Sequence, residues 1–290
     1  MRELTDRDVV AVPLPALTAE VGRCLADLGT GAASQAPKAV LPIGAGAFFL
    51  SIAAVVPRLG LGAAKWASYV PGAAGSPGAS TSTVVVSDAA TGAPLALVVG
   101  MEFTRRRTAA TAVAVARAAS TPGVRADGPG TVALVGCGTT NRAVLDAVLA
   151  EHPGAAVTVL VRTAGSARTL RAALADLVPA ARLEVSTDPA VIAGADWAFS
   201  ATGATGAVAD LGLLAPDAVA VALDGARTWV VPPGTPVLDD HVRAGAAEAP
   251  AVPRLLAGRQ ARPAGRVLLD VAGSAVCDVA LAACLLGAEG

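Results

Sequence analysis

The spacing of apolar and polar positions changes character near residue 120. Before it, VGRCLADL at 21–28 has helical spacing, Thr5 and Asp6 are candidate caps upstream, and Gly29 and Gly31 stop the helix. From 38 to 100, short apolar runs alternate with clusters of Gly, Pro and Ser. VVVSDAATGAPLALVVG predicts two β-runs around a turn made by Asp88, Thr91, Gly92 and Pro94. TRRRTAATAVAVARAAS then runs without Gly or Pro and predicts a long helix. TPGVRADGPG reads as a loop and a junction between domains.

After the junction, buried-strand and helix patterns alternate. TVALVGCG predicts a strand entering a glycine turn, NRAVLDAVLAEH a helix, AVTVLVR a second strand and SARTLRAALADLVP a second helix. ARLEVS, ADWAFSATG and AVAVALDG are further strands, and RVLLDVAGSAVCDVALAACLLG is a short strand followed by a helix. This grammar predicts an α/β protein with a doubly wound parallel sheet of Rossmann type, covered on both faces.

Composition narrows the classes. Of 290 residues, 54% are apolar and 16% charged, so the chain collapses and is neither disordered nor fibrous. A net charge of -1 gives no electrostatic footprint for nucleic acid. The uncharged stretch AVLPIGAGAFFLSIAAVVP at 39–57 approaches a membrane span in length, but Pro42, Gly44 and Gly46 break it and no aromatic or basic belt flanks it. Buried strands joined by a turn are expected there, and no membrane association. Cys24, Cys137, Cys277 and Cys284 lack metal-ligand spacing and only His152 and His241 could join them, so no zinc site is expected. The thiols read as reduced and the compartment as cytoplasmic, since MRELTDRDVV has no apolar leader stretch.

The chemistry concentrates in two places. Gly136, Cys137, Gly138, Thr139, Thr140 and Asn141 form a strand–turn–helix, where backbone N–H groups and a helix N-terminus can receive a pyrophosphate. Asn141 stands where the fingerprint has Gly or Ala, and the glycines would also serve a plain tight turn. The second strand ends Leu160-Val161-Arg162-Thr163 without the acid that holds a ribose 2′-OH. Arg162, with Ser166 and Arg168 nearby, suits a 2′-phosphate, favouring NADP over NAD; a solvated arginine is the plain alternative.

The second place is made of charges in apolar surroundings. Only two residues are Lys, against 20 Arg. Lys65 lies in LGAAKWASYVPG with no other charge, and is either functional or snorkels out at a strand end. Arg107 belongs to a run of three arginines that point in different directions. Asp224 follows AVAVAL and precedes Gly225, at the carboxyl end of a parallel strand where ligands bind, though Asp-Gly is also turn chemistry.

The chain resembles the ornithine cyclodeaminase/μ-crystallin family. LTDRDV, AKWASYVPG, DAATGAPLALVVG, TRRRTAA, VALVGCG, ADWAFSATGAT, LDGAR and AGSAVCDVALAA carry the likeness in order and approximate spacing over nearly the whole chain. The KW and GCG variants are most similar to the branch that oxidises N-(2-amino-2-carboxyethyl)-L-glutamate. The resemblance implies a substrate-binding and dimerisation domain of residues 1–118 with 269–290, a Rossmann domain of residues 119–268, and a homodimer. It implies NAD(P)-dependent oxidation of an amino acid at Cα or reduction of an imine. The alternatives are a cyclodeaminase that recycles its hydride and releases ammonia, and a non-catalytic nucleotide-binding relative.

By the same resemblance Lys65 and Asp224 are catalytic, and Lys38 and Arg107 bind substrate carboxylate. Arg162, Thr163 and Thr202 join the glycine-turn residues around the cofactor, and Asp278 lies near the nicotinamide. The family's PGN becomes Pro71-Gly72-Ala73, its GLPT element Gly75-Ser76-Pro77-Gly78, and its Lys-Ser pair Asp270-Val271. FFLSIAA lacks the acid of the cyclising members.

Overall fold

The two kinds of hydrophobic spacing build two different sheets. The structure, a computed structural model, describes residues 1–72, 78–121 and 128–287. Ala73, Gly75, Ser76 and Pro77, with most of the junction loop, lie outside the described residues. In chain order the elements are β1 Arg2–Leu4, α1 Asp6–Ala11, α2 Leu14–Thr30, β2 Ser34–Gln35, β3 Ala39–Gly44, β4 Ala47–Val56, β5 Leu61–Val70, β6 Ala79–Asp88, β7 Pro94–Val99 and α3 Met101–Ala118. There follow β8 Thr131–Val135, α4 Thr139–Glu151, β9 Ala156–Leu160, α5 Ala164–Leu174, β10 Leu183–Ser186, β11 Trp197–Ser200, β12 Ala209–Asp210, β13 Val219–Ala222, β14 Trp229–Val230, β15 Val237–Asp239, α6 Ala251–Leu256, β16 Val267–Asp270 and α7 Ala275–Gly287.

The chain divides into two compact units. The first holds Met1–Thr111, His241–Gln260 and Gly273–Gly290; the second holds Ala112–Asp240 and Ala261–Ala272. His241–Gln260 therefore groups with the first unit, where the expected division ran on to residue 268.

In the first unit the strand order is β1-β7-β6-β5-β4-β2, with β3 also on β4. All neighbours are antiparallel except β1 on β7. Thr5 caps α1: Asp8 accepts its backbone N–H and its hydroxyl, both at 2.8 Å. Gly31, at φ 80°, closes α2, while Gly29 lies inside that helix instead of ending it. A Cβ on Gly29 would overlap the Pro253 carbonyl oxygen, so glycine is what lets α6 approach α2. Helix α7 packs on β4 and β5, covering one face of the sheet.

The 39–57 stretch is a hairpin, as expected, but β3 is exposed throughout instead of buried. Beyond β4 no strand of the described residues pairs with it, and no helix covers it, so its apolar side chains stay in solvent. No helix among the described residues is long and apolar enough to cross a membrane.

In the second unit β10-β9-β8-β11-β13-β16-β15 form a wholly parallel sheet. The central strands are buried end to end: Trp197–Ser200 and Val219–Ala222 expose almost nothing, which is why they read as continuous apolar runs. The order reverses direction between β8 and β11. At such a switch point the loops leaving the strand ends part and open a crevice. The fold is a two-domain α/β fold with a Rossmann-type sheet.

Candidate active site

In the first unit, β5 presents alternate residues to α7, and the alternation places Lys65 where an apolar side chain belongs. Its register neighbours are Ile52 on β4 and Val84 on β6, both buried. Lys65 itself is 5% exposed. A buried ammonium needs a partner, and Asp278 of α7 supplies it, with Lys65 Nζ 3.1 Å from Oδ1 and 2.9 Å from Oδ2. Arg107 Nε pairs with the same carboxylate at 2.9 Å. Arg107 and Asp278 are 7% and 1% exposed.

The three arginines of α3 diverge as helical geometry requires. Arg105 pairs with Glu102 at 3.0 Å, Arg106 donates to the Val12 carbonyl, and Arg107 turns inward to Asp278. The Arg107 fork has a shaped seat: a Cβ on Gly273 would stand 2.8 Å from Nη1 and 3.4 Å from Nη2. Asp278 is the acidic partner of this guanidinium among the described residues, and Arg107 is nearly buried beside it.

Two cations share one carboxylate, so the cluster carries an excess positive charge. Burial, then repulsion by the Arg107 guanidinium, bring the Lys65 ammonium down to about 8 from an ordinary 10.5. Asp278 works against this, while Lys38, between β2 and β3, adds to it and so lies within electrostatic reach. Such a site receives an anion, and its lysine can exchange a proton near neutral pH.

In the second unit, a cavity of about 920 Å³ opens at the carboxyl ends of β8, β9 and β11. Gly136, Cys137, Gly138, Arg162 and Thr202 line it, together with Ser166, Thr169 and Thr187. Gly136 has φ 75°, and a Cβ there would meet Thr202 Cγ2 at 3.1 Å and the Ala201 carbonyl oxygen at 3.2 Å. Gly138, the N-cap of α4, leaves open space where a Cβ would stand and offers no side chain to cap the helix. The glycine turn is thus both tight and approachable, as a bound pyrophosphate requires. Burial raises the Cys137 thiol to about 11, so it lines the cavity as a neutral group. Arg162 is the charged residue of the lining.

Other expected cofactor residues stand elsewhere. Thr139 and Thr140 begin α4. Thr163 caps α5, its hydroxyl accepting the Ser166 N–H at 3.1 Å. Asn141 is wholly buried; its Nδ2 lies 3.1, 2.7 and 3.1 Å from the carbonyls of Val135, Gly136 and Phe199. It ties the glycine turn to β8 and β11, which the usual small residue cannot do. Asp224 sits after β13, hydrogen-bonded by Ser200, Thr202 and Thr228. Asp278 is in the first unit with Lys65 and Arg107. Gly273 escaped the sequence reading, although its AGS setting stood in the motif set. No group of His, Cys, Asp and Glu among the described residues could hold a metal ion.

No protein-family model matches the chain, and no curated protein matches it. Solved structures share its fold. The probable ornithine cyclodeaminase of Bordetella pertussis Tohama I aligns with TM-score 0.79 at 21% identity, over 100% of this chain and 98% of that one. An archaeal alanine dehydrogenase dimer with bound NAD gives 0.81 at 17%, over 100% and 97%. Thermococcus litoralis Δ1-pyrroline-2-carboxylate reductase, in complex with NADH and L-proline, gives 0.80 at 18%, over 100% and 98%. At these identities the likeness is one of fold.

The depressed Lys65 value has a thermodynamic consequence. Between about pH 8 and 10.5 the unfolded chain keeps a proton on Lys65 that the folded chain has lost, so this group makes stability rise with pH across that window and contributes no slope below it. The urea midpoint of the wild type should gain on that of Lys65→Met between pH 8 and 10. Parallel midpoints for the two proteins over that window would contradict the assignment.

Proposed function

We propose that this chain is an NAD(P)-dependent oxidoreductase of the ornithine cyclodeaminase/μ-crystallin family, acting on the Cα–N bond of an amino or imino acid. The observation that carries the reading is the pair of buried cations, Arg107 and a low-pKa Lys65, held on the one carboxylate of Asp278. A guanidinium fork matches a carboxylate bidentately, and Lys38 adds charge on the same side of the balance. An α-carboxylate seated there brings its amine to Lys65. Lys65, neutral for part of the time near pH 8, takes the proton that the ammonium must lose before Cα is oxidised. Oxidation leaves an imine, which water hydrolyses to an oxo acid and ammonia; in the reverse direction Lys65 returns the proton.

A nicotinamide dinucleotide bound in the second unit supplies the hydride acceptor or donor. Gly136, Gly138 and the first turn of α4 would hold its pyrophosphate. Arg162, with Ser166 and Thr169 on the same wall and no carboxylate in the lining, favours a 2′-phosphate and therefore NADP. Net oxidation is preferred to cyclodeamination because β4 carries no acid.

The family reading also gives a homodimer. On the face of the first unit's sheet opposite Lys65, Leu41, Val55, Trp66, Val70, Val85 and Val99 are exposed, Trp66 by 46%. A contiguous apolar face of this kind suits a second copy of the chain. Sedimentation should give twice the chain mass, and Trp66→Glu should give the monomer. A wild-type monomer at micromolar concentration would contradict it.

The function is tested by following reduced-nicotinamide absorbance with NADP or NAD and a panel of ornithine, alanine, proline and N-(2-amino-2-carboxyethyl)-L-glutamate, with ammonia assayed alongside. We expect absorbance to rise with one substrate, faster with NADP, and Arg162→Ala to lose that preference. Lys65→Ala should abolish turnover while dinucleotide affinity is unchanged. Retained turnover in that variant removes Lys65 from the mechanism. Ammonia without absorbance would instead point to a cyclodeaminase.

A further inference from the structure

Asp224 leaves β13 at the carboxyl end of the parallel sheet, where a carboxylate can act as a proton acceptor or as a fixed anchor. Its surroundings distinguish the two. Oδ2 accepts the Thr202 backbone N–H at 2.6 Å and the Thr202 hydroxyl at 2.8 Å. Oδ1 accepts the Ser200 hydroxyl at 2.9 Å, with the Thr228 hydroxyl at 3.2 Å. A carboxylate has about four acceptor positions; three face donors of its own unit, and the fourth faces the Thr228 hydroxyl, whose proton also has the Gly225 carbonyl at 3.0 Å.

The hydroxyls are oriented by donors behind them. Trp229 Nε1 donates to Ser200 Oγ at 3.0 Å, and the Ala204 N–H donates to Thr202 Oγ1 at 2.9 Å. Ser200 and Thr202 therefore each receive one bond and pass their own proton to Asp224, while the single Thr228 proton is shared with the Gly225 carbonyl at 3.0 Å. Burial works to raise the Asp224 carboxyl, and the bonds from Thr202, Ser200 and Thr228 outweigh it, holding the group below its ordinary value. To accept a proton from substrate, Asp224 would have to release one of these donors.

The donors belong to the cavity wall. Ala201, Thr202, Gly203 and Ala204 line the dinucleotide cavity, and Thr202 packs against Gly136 so closely that a Cβ there would be 3.1 Å from Thr202 Cγ2. We infer that Asp224 is a positioning residue, which anchors the 201–204 loop against the glycine turn and so shapes the dinucleotide site, and is not a proton-transfer group. The inference rests on a dinucleotide filling this cavity.

The test compares wild type, Asp224→Asn and Ser200→Ala in the full-length chain. Binding is read by fluorescence titration with NADPH and NADH, and the Thr202 amide by hydrogen exchange. Asn replaces one acceptor oxygen by an NH2, which the Thr202 N–H cannot pair with and the hydroxyls can accept only by giving up their present hydrogen-bond directions, so the wall loosens. We expect dinucleotide Kd to rise by about tenfold or more in Asp224→Asn and by about two- to fivefold in Ser200→Ala, with faster exchange at Thr202 in both. At saturating dinucleotide the rate recovers to within about threefold, and the pH–rate profile keeps its shape. A rate loss of about a hundredfold with Kd unchanged would overturn the inference and return Asp224 to proton transfer. If Asp224→Asn does not fold, Ser200→Ala decides by the same split between Kd and rate. If the wild type binds neither dinucleotide, the functional reading fails, and Thr202 exchange alone decides the anchor: protection in the wild type that is lost in Ser200→Ala supports it, and rapid exchange in the wild type overturns it.

Discussion

Two buried cations on one buried carboxylate are the constraint from which the first unit follows. Lys65 and Arg107 come from a strand and a helix far apart in sequence, and Asp278 meets both from the last helix. Removing a carboxylate from such a cluster leaves uncompensated buried charge, a loss of about 3–5 kcal/mol. The cluster therefore holds α7 to the sheet in one register. Its charge balance matters as much: two cations on one carboxylate leave an excess positive charge, which an anion would offset. On the proposed function, a substrate carboxylate would complete this electrostatic arrangement.

In the second unit two polar side chains hold the loops that line the cavity. Asn141 bonds three carbonyls around the glycine turn, and Asp224 gathers four donors on the opposite loop. Both devices spend buried polar groups on holding loops that carry no regular structure. The result is a cavity whose loops are tied down by hydrogen bonds of the protein itself, an arrangement that lowers the ordering cost of binding a ligand. One unit supplies excess positive charge and the other supplies shape.

The alternation of strands and helices after residue 130 was legible because buried parallel strands are continuous apolar runs and their helices have a different period. Lys65 was legible as an exception, the one charge of an otherwise uncharged segment and one of two lysines in the chain. Arg107 was legible only as one of three, since helix phase alone does not say which arginine turns inward. The partnership of Lys65 with Asp278 spans 213 residues, and no local pattern encodes it. The exposure of β3 was hidden because an apolar strand on an uncovered edge reads like a buried one. Asp224 was visible as a carboxylate at a strand end, but whether its lone pairs are free depends on Ser200, Thr202 and Thr228, which only the fold brings together. Asn141 looked like a defect in a fingerprint and is a set of hydrogen bonds.

On the proposed function, hydride passes between Cα of an amino acid and a nicotinamide. This transfer is tested most directly by supplying the turned-over amino acid with deuterium at Cα and examining the reduced dinucleotide by mass spectrometry. The account predicts one deuterium per reduced nicotinamide, formed in step with product. Product formed without label in the dinucleotide would contradict it, because the Cα–D bond would then have broken by another route.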